Sequence, residues 1–196
     1  LNEILMAAGR ELAIVNTINV TGAGWVRRDR LAPAHLCGEQ PTISAWIDDE
    51  IQPALDRMAQ AQVLTSREID TIRAQLTRAA RLFGSEEAHL VHGDFDLTHI
   101  YHVDGEYSGL IDFGEIRGAN RLYDLGHFQI ENRALLPHLL AGYAEQTALP
   151  ADYRQQIDLS TLLAAVHWLG RSLAKRRPIS PPLLAAVRLA MAGLAG

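Results

Sequence analysis

Two short stretches carry the side chains that could do chemistry together: His92-Gly93-Asp94-Phe95-Asp96-Leu97-Thr98-His99 and Gly109-Leu110-Ile111-Asp112-Phe113-Gly114-Glu115. Between them lies Asp104-Gly105, the two-residue signature of a tight hairpin. If Val103 pairs with Glu106, stepping outward sets His99 opposite Leu110. Side chains alternate along a strand, so Asp112 becomes the diagonal neighbour of His99, roughly 7–8 Å away between backbones. Asp94 precedes the hairpin at the same open end, and the three polar groups converge with room for a metal ion between His99 and Asp112. Such a set suits phosphoryl transfer from a nucleotide, in which the protein positions the reactants, deprotonates a hydroxyl and holds divalent metal against the phosphates. Asp94 is the candidate base and Asp112 a candidate metal ligand. Asp96 and Glu115 flank them and are candidates for contacting substrate hydroxyls or amines.

The surrounding pattern is mostly helical. Apolar residues at helical spacing (Ile4, Leu5, Ala8, Leu12, Val15) predict a helix from Leu1 to about Ile18, running into a Thr21–Trp25 turn and an irregular loop. Thr42 to about Gln62 reads as a helix that Pro53 kinks or restarts. Thr65 and Glu68 form a capping-box pattern for a helix through Phe83, which Gly84 ends. Leu90–His92, Ile100–Val103 and Tyr107–Phe113 read as strands. Helices follow over 123–131, 134–146, 153 to about 175 and 182–194. The fold class is therefore α+β and mainly helical, one domain over 1–196, with a small β hairpin carrying the catalytic and metal residues. Trp46, Trp168 and Tyr101 read as core. Asp48-Asp49-Glu50 reads as a solvated face, with a lining for a cationic substrate as the alternative.

His92-Gly93-Asp94, Ile111-Asp112-Phe113 and Tyr123-Asp124-Leu125, in this order and spacing, resemble the aminoglycoside phosphotransferase and choline-kinase-like family, relatives of protein kinases. The Leu1–Trp25 segment resembles, more weakly, the family's helix ending in a glycine-aromatic turn. The resemblance implies the C-terminal lobe of a protein-kinase-like fold, with Asp94 as base, Asp112 as a magnesium ligand, and His92 and Asp124 holding the catalytic loop. It also implies ATP or GTP as co-substrate and a small-molecule hydroxyl as acceptor, of aminoglycoside, macrolide, sugar or amino-alcohol type. His99 stands where the family has a metal-binding asparagine; imidazole suits Mn2+ or Zn2+ better than Mg2+, so the second metal is lost, is different, or His99 serves otherwise. The N-terminal β lobe, with its phosphate-covering loop and its lysine paired to a glutamate, has no counterpart here. Lys175 is the only lysine and falls in a late helix, and Gly22-Ala23-Gly24 reads as lying outside paired strands. A lobe lacking its partner, begun at Leu1 by truncation and inactive alone, is the expectation. The alternative is a non-catalytic, pseudokinase-like module that binds a ligand or partner, and a homodimer covering an apolar face is a further possibility.

Composition narrows the field. At 48% hydrophobic residues the chain can bury a core, and 18 basic against 23 acidic residues give a net charge of -5, which disfavours nucleic acid. Cys37 alone forms neither an intramolecular disulfide nor a cysteine zinc cluster and points to a reducing cytoplasm. No signal peptide is visible, and Arg188 interrupts the apolar Leu183–Gly196 stretch, so no membrane span is expected. His99, His102, His127 and His138 lack zinc-site spacing, which disfavours a hydrolytic metalloenzyme.

Overall fold

The computed structural model describes residues 1–28, 35–84 and 87–195. The irregular loop expected after Trp25 lies in part outside them. In chain order the elements are α1 (Asn2–Val15), β1 (Asn19–Thr21), β2 (Ala23–Val26), β3 (Leu36–Gln40), α2 (Ile43–Trp46), α3 (Gln52–Gln60), α4 (Ser66–Phe83), β4 (Ala88–Val91), β5 (Ile100–Val103), β6 (Glu106–Leu110), β7 (Arg117–Ala119), α5 (Tyr123–Asn132), α6 (Leu136–Gln146), α7 (Tyr153–Ala174) and α8 (Pro181–Leu194). Among the described residues no helix is long and apolar enough to cross a membrane.

Several helices form as the pattern predicts. Thr65 caps α4 through a complete capping box with Glu68, and Pro53, which has no N–H to continue an i→i−4 ladder, follows without a break on the helix begun at Ile43. The chain before Pro53 widens into a π-helical turn, Ile47–Ile51. That turn leaves Asp48 and Asp49 in solvent but draws Glu50 inward.

Sheet structure exceeds the sequence expectation. Beside the β5–β6 hairpin, five short strands close on themselves in the order β1-β3-β2-β7-β4. Gly22 therefore joins β1 to β2, two strands each paired into this sheet, and the reading that places the Gly22–Gly24 segment outside paired strands is corrected. The first helix stops at Val15 rather than Ile18 because the Asn16 side chain takes over: its amide donates to the Leu90 carbonyl (2.8 Å) and its oxygen accepts from the Tyr143 hydroxyl (3.0 Å).

The hairpin has the expected Asp104-Gly105 turn, with φ of 50° and 82° and Val103 opposite Glu106. Its outer register is shifted, however, and Ile100 rather than His99 faces Leu110. The irregularity lies between Tyr101 and His102 on one strand and opposite Gly109 and Tyr107 on the other. Gly109 there has φ 152°, a value that side chains avoid, and a glycine inside a strand pattern is the usual mark of a bulge. The return strand ends at Leu110 rather than Phe113. Tyr101, expected in the core, is 52% exposed on the outer face of the hairpin.

Two apolar clusters form the interior. One gathers Trp46, Ile51, Leu55, Phe83 and Val91 with α7 and α8; the other gathers α1, α6, Phe95, Phe128 and the hairpin. α5 lies between them and is buried on every side from Tyr123 to Gln129, so its polar residues Asp124 and His127 must find partners inside the protein. Asn16 ties α1, α6 and β4 together. Asn16→Ala removes the donor to the Leu90 carbonyl and leaves the Tyr143 hydroxyl only the Arg121 carbonyl, at 3.3 Å, and is expected to lower unfolding free energy by about 1–3 kcal/mol in urea titrations; a loss under about 0.5 kcal/mol would show that these bonds do not organise the fold.

Candidate active site

Asp124, fully buried, is the anchor. Its carboxylate accepts the backbone N–H of His92 (2.7 Å) and of Gly93 (2.9 Å). Burial pushes its carboxyl above the usual range, while the nearby His92 and the two N–H bonds pull the other way. Gly93 turns the chain at φ 84°, and a Cβ there would sit 2.1 Å from the Glu115 carbonyl oxygen, so only glycine fits. The turn delivers Asp94 to the open end of the hairpin.

His92 and Asp96 complete the loop. The His92 Nε2–H donates to the Ile111 carbonyl (2.8 Å), which ties the end of the hairpin to the loop, and its ring packs on Phe95, His99 and Phe113. Asp96 accepts both the N–H and the hydroxyl of Thr98, each at 2.6 Å, starting the 3-10 turn Leu97–His99.

His99 and Asp112 meet, although not through the expected register. His99 Nδ1 lies 2.7 Å from the Asp94 carbonyl; that oxygen only accepts, so Nδ1 carries the hydrogen, and in the neutral ring Nε2 presents its lone pair. Nε2 is 3.8 Å from Asp112 Oδ2. Asp112 reaches this position in left-handed backbone, φ 62° and ψ 56°, a conformation that costs about 1–3 kcal/mol outside glycine. Two acceptors facing each other at this distance suit a cation between them. Among the described residues no third His, Cys, Asp or Glu joins them, which leaves the remaining positions to ligand oxygens and water, as with nucleotide-bound divalent metals.

Asp94 borders a pocket of about 160 Å3 lined by Asp96, His127, Glu131 and Trp168 among others. His127 Nε2 stands 3.4 Å from Asp94 Oδ1. His127, Glu131 and Trp168 are functional candidates that the sequence reading did not assign to the site. Asp124, His127 and Glu131 fall at i, i+3 and i+7 of one helix, and that shared face was the available signal. Trp168, expected in the core, is half-buried and forms a wall. Glu115 does not reach the pocket lining: its carboxylate pairs with Arg171 (2.9 and 3.0 Å) and Arg117 (3.2 Å).

A buried polar layer backs the pocket. His167 Nδ1 lies 3.5 Å from Glu50 Oε2, but burial favours the neutral form of both. It raises Glu50, and together with Arg117 and Arg171 it pushes His167 down to about 3.

Asp94 thus stands on a loop clamped by a buried aspartate, beside the His99–Asp112 pair at the end of the hairpin. The chain belongs to the phosphotransferase enzyme family, whose model (APH) matches residues 1–159. No curated protein matches it significantly. Among solved structures it is similar to a Thermobifida fusca protein assigned as a fructosamine-3-kinase (22% identity, TM-score 0.66, 98% of this chain and 66% of that one). A Haemophilus somnus protein of the same assignment is also similar (12%, TM-score 0.69, 100% and 64%). So is aminoglycoside phosphotransferase APH(4)-Ia in ternary complex with AMP-PNP and hygromycin B (14%, TM-score 0.63, 99% and 63%). These likenesses carry the fold, and the chain spans about two thirds of each relative's length.

The depressed His167 predicts an acid-side stability slope. The unfolded chain binds a proton near pH 6.5 that the folded chain refuses until about 3, so stability falls as pH drops through that window, by at most about 1.4 kcal/mol per pH unit. His167→Gln should flatten the slope between pH 6 and about 4 in denaturant titrations; an unchanged slope assigns it to other groups.

Proposed function

We propose that this chain is the catalytic lobe of an ATP- or GTP-dependent O-phosphotransferase acting on a hydroxyl of a small molecule. The observation that carries the reading is Asp94, held on the loop clamped by Asp124, with its carboxylate at a pocket and the His99–Asp112 pair beside it. In this mechanism Asp94 orients the acceptor hydroxyl and takes its proton as the oxygen bonds to the terminal phosphorus and the bridging P–O bond to the nucleoside diphosphate breaks. Asp112 and His99 would hold Mg2+, or Mn2+ given the imidazole, and a cation there neutralises phosphate charge. His92 and Asp124 position; they do not touch the reacting atoms. Asp96, at the pocket lining, is a substrate contact, whereas Glu115 supports the site through its arginines.

The AMP-PNP and hygromycin B bound to the related phosphotransferase support a nucleotide co-substrate and a hydroxylated acceptor. The acceptor class spans aminoglycosides, macrolides, sugars and amino alcohols. The lobe that covers the nucleotide phosphates is proposed to lie outside these residues, since the lone lysine, Lys175, caps the C-terminal end of α7. A cytoplasmic setting is proposed from the single, unpaired Cys37. One substitution favours the second reading, a pseudokinase-like binding module: His99 in place of the family's asparagine.

The test is transfer of labelled γ-phosphate by the complete protein to a panel of such acceptors. Asp94→Asn should lower turnover about 10²–10⁴-fold with unchanged circular dichroism. Retained turnover removes Asp94 from the mechanism, and nucleotide binding without transfer to any acceptor favours the binding module.

A further inference from the structure

His127 is no part of the metal pair, and only one of its ring nitrogens holds the loop, yet it is 8% exposed and lines the pocket beside the candidate base. Its Nδ1 lies 2.9 Å from the Phe95 carbonyl. Since that carbonyl only accepts, the hydrogen sits on Nδ1, and Nε2 is left as a lone pair 3.4 Å from Asp94 Oδ1. The neutral ring and the carboxylate are thus two acceptors side by side with no hydrogen between them. A donor arriving from the pocket can satisfy both.

The charge around this fork decides which donor. Asp94, Asp96 and Glu131 line the pocket, and among the described residues no Lys or Arg does. Trp168 adds an aromatic wall whose ring lies 6.2 Å from that of His127. Carboxylates with an aromatic face favour a cation over a neutral hydroxyl. The volume, about 160 Å3, is close to the ~150 Å3 cavity that holds a benzene ring, which gives room for one six-membered ring in a pocket that opens to solvent.

We propose that His127 is a specificity-determining residue that, with Asp94 Oδ1, binds a protonated amine on the carbon next to the hydroxyl to be phosphorylated, within a single ring of the acceptor. The other oxygen of Asp94 remains for the hydroxyl. The inference deepens the phosphotransferase reading and rests on Asp94 marking the acceptor site. Burial lowers the His127 pKa, while the Phe95 carbonyl, Asp94 and Asp124 oppose that effect and Arg117 adds to it. The neighbouring His167 from α7 is itself held neutral. The ring is therefore an acceptor at neutral pH.

The test compares a matched pair of ligands, trans-2-aminocyclohexanol and trans-cyclohexane-1,2-diol, by NMR titration of the 196-residue chain, so that it does not depend on turnover. The amino alcohol should bind at least about 10-fold more tightly than the diol, as a hydrogen bond to a charged group predicts. In His127→Asn the new amide can take over the bond to Phe95, and the amino alcohol should weaken about 10-fold while the diol changes less than about 2-fold. On the wild-type chain, the imidazole ¹⁵N spectrum should show hydrogen on Nδ1 and a shift of the Nε2 signal on adding the amino alcohol alone. Equal binding of the two ligands, no binding of the amino alcohol at about 100 mM, equal weakening of both by His127→Asn, or an unmoved Nε2 signal overturns the proposal. If amine selectivity appears but the complete protein phosphorylates nothing, the phosphotransferase reading fails and only the amine site at His127 and Asp94 stands; phosphorylation without amine selectivity overturns the amine site and leaves the phosphotransferase reading intact.

Discussion

The buried carboxylate of Asp124 is the constraint on which the rest of this structure depends. A charge with no access to water is expensive unless it is fully paired by hydrogen bonds, and here the partners are two consecutive backbone N–H groups, those of His92 and Gly93. That choice fixes the His92–Asp96 loop to α5. It also explains why α5 runs between the two apolar clusters: only a helix buried on both sides can present an aspartate to the loop from within. The left-handed turn at Gly93 then sends Asp94 outward, and the Glu115 carbonyl pressed against Gly93 leaves no room for another residue.

Three imidazoles extend the same logic. His92, His99 and His127 each donate one ring N–H to a backbone carbonyl, of Ile111, Asp94 and Phe95 respectively. A carbonyl cannot return a hydrogen, so each bond settles which nitrogen remains free. For His99 and His127 the free nitrogen faces a carboxylate, of Asp112 and Asp94. The result is a site made of acceptors, which attracts cations and hydrogen-bond donors. Asp112 accepts a strained left-handed backbone to take its place in it, and strain of this kind collects at functional sites.

Much of this was legible in the sequence. The capping box, the Asp104-Gly105 turn and the Pro53 irregularity are local signals, set by a few residues and unaffected by distant ones, and they appear where expected. The meeting of His99 with Asp112 was also legible, but the ladder leading to it was not, because Gly109 inserts a bulge that shifts the register by one residue. Of the five strands in the closed sheet only β4 gave a signal, at Leu90–His92; the other four are three to five residues long and paired at long range, too short for alternation to register. Glu50 and Trp168 show the remaining gap. Whether a side chain faces solvent, core or pocket is decided by tertiary packing, which turned Glu50 inward through a π-helical turn and left Trp168 as a pocket wall.

The central claim, that the clamped loop and the strained Asp112 converge on one cation, is tested most directly by electron spin-echo spectroscopy of Mn2+ bound to the chain in the presence of ADP. Modulation from one imidazole nitrogen that disappears in His99→Asn, with Mn2+ affinity lowered again by Asp112→Asn, is the result the geometry predicts. Bound Mn2+ with no nitrogen coupling, or coupling that survives His99→Asn, contradicts it.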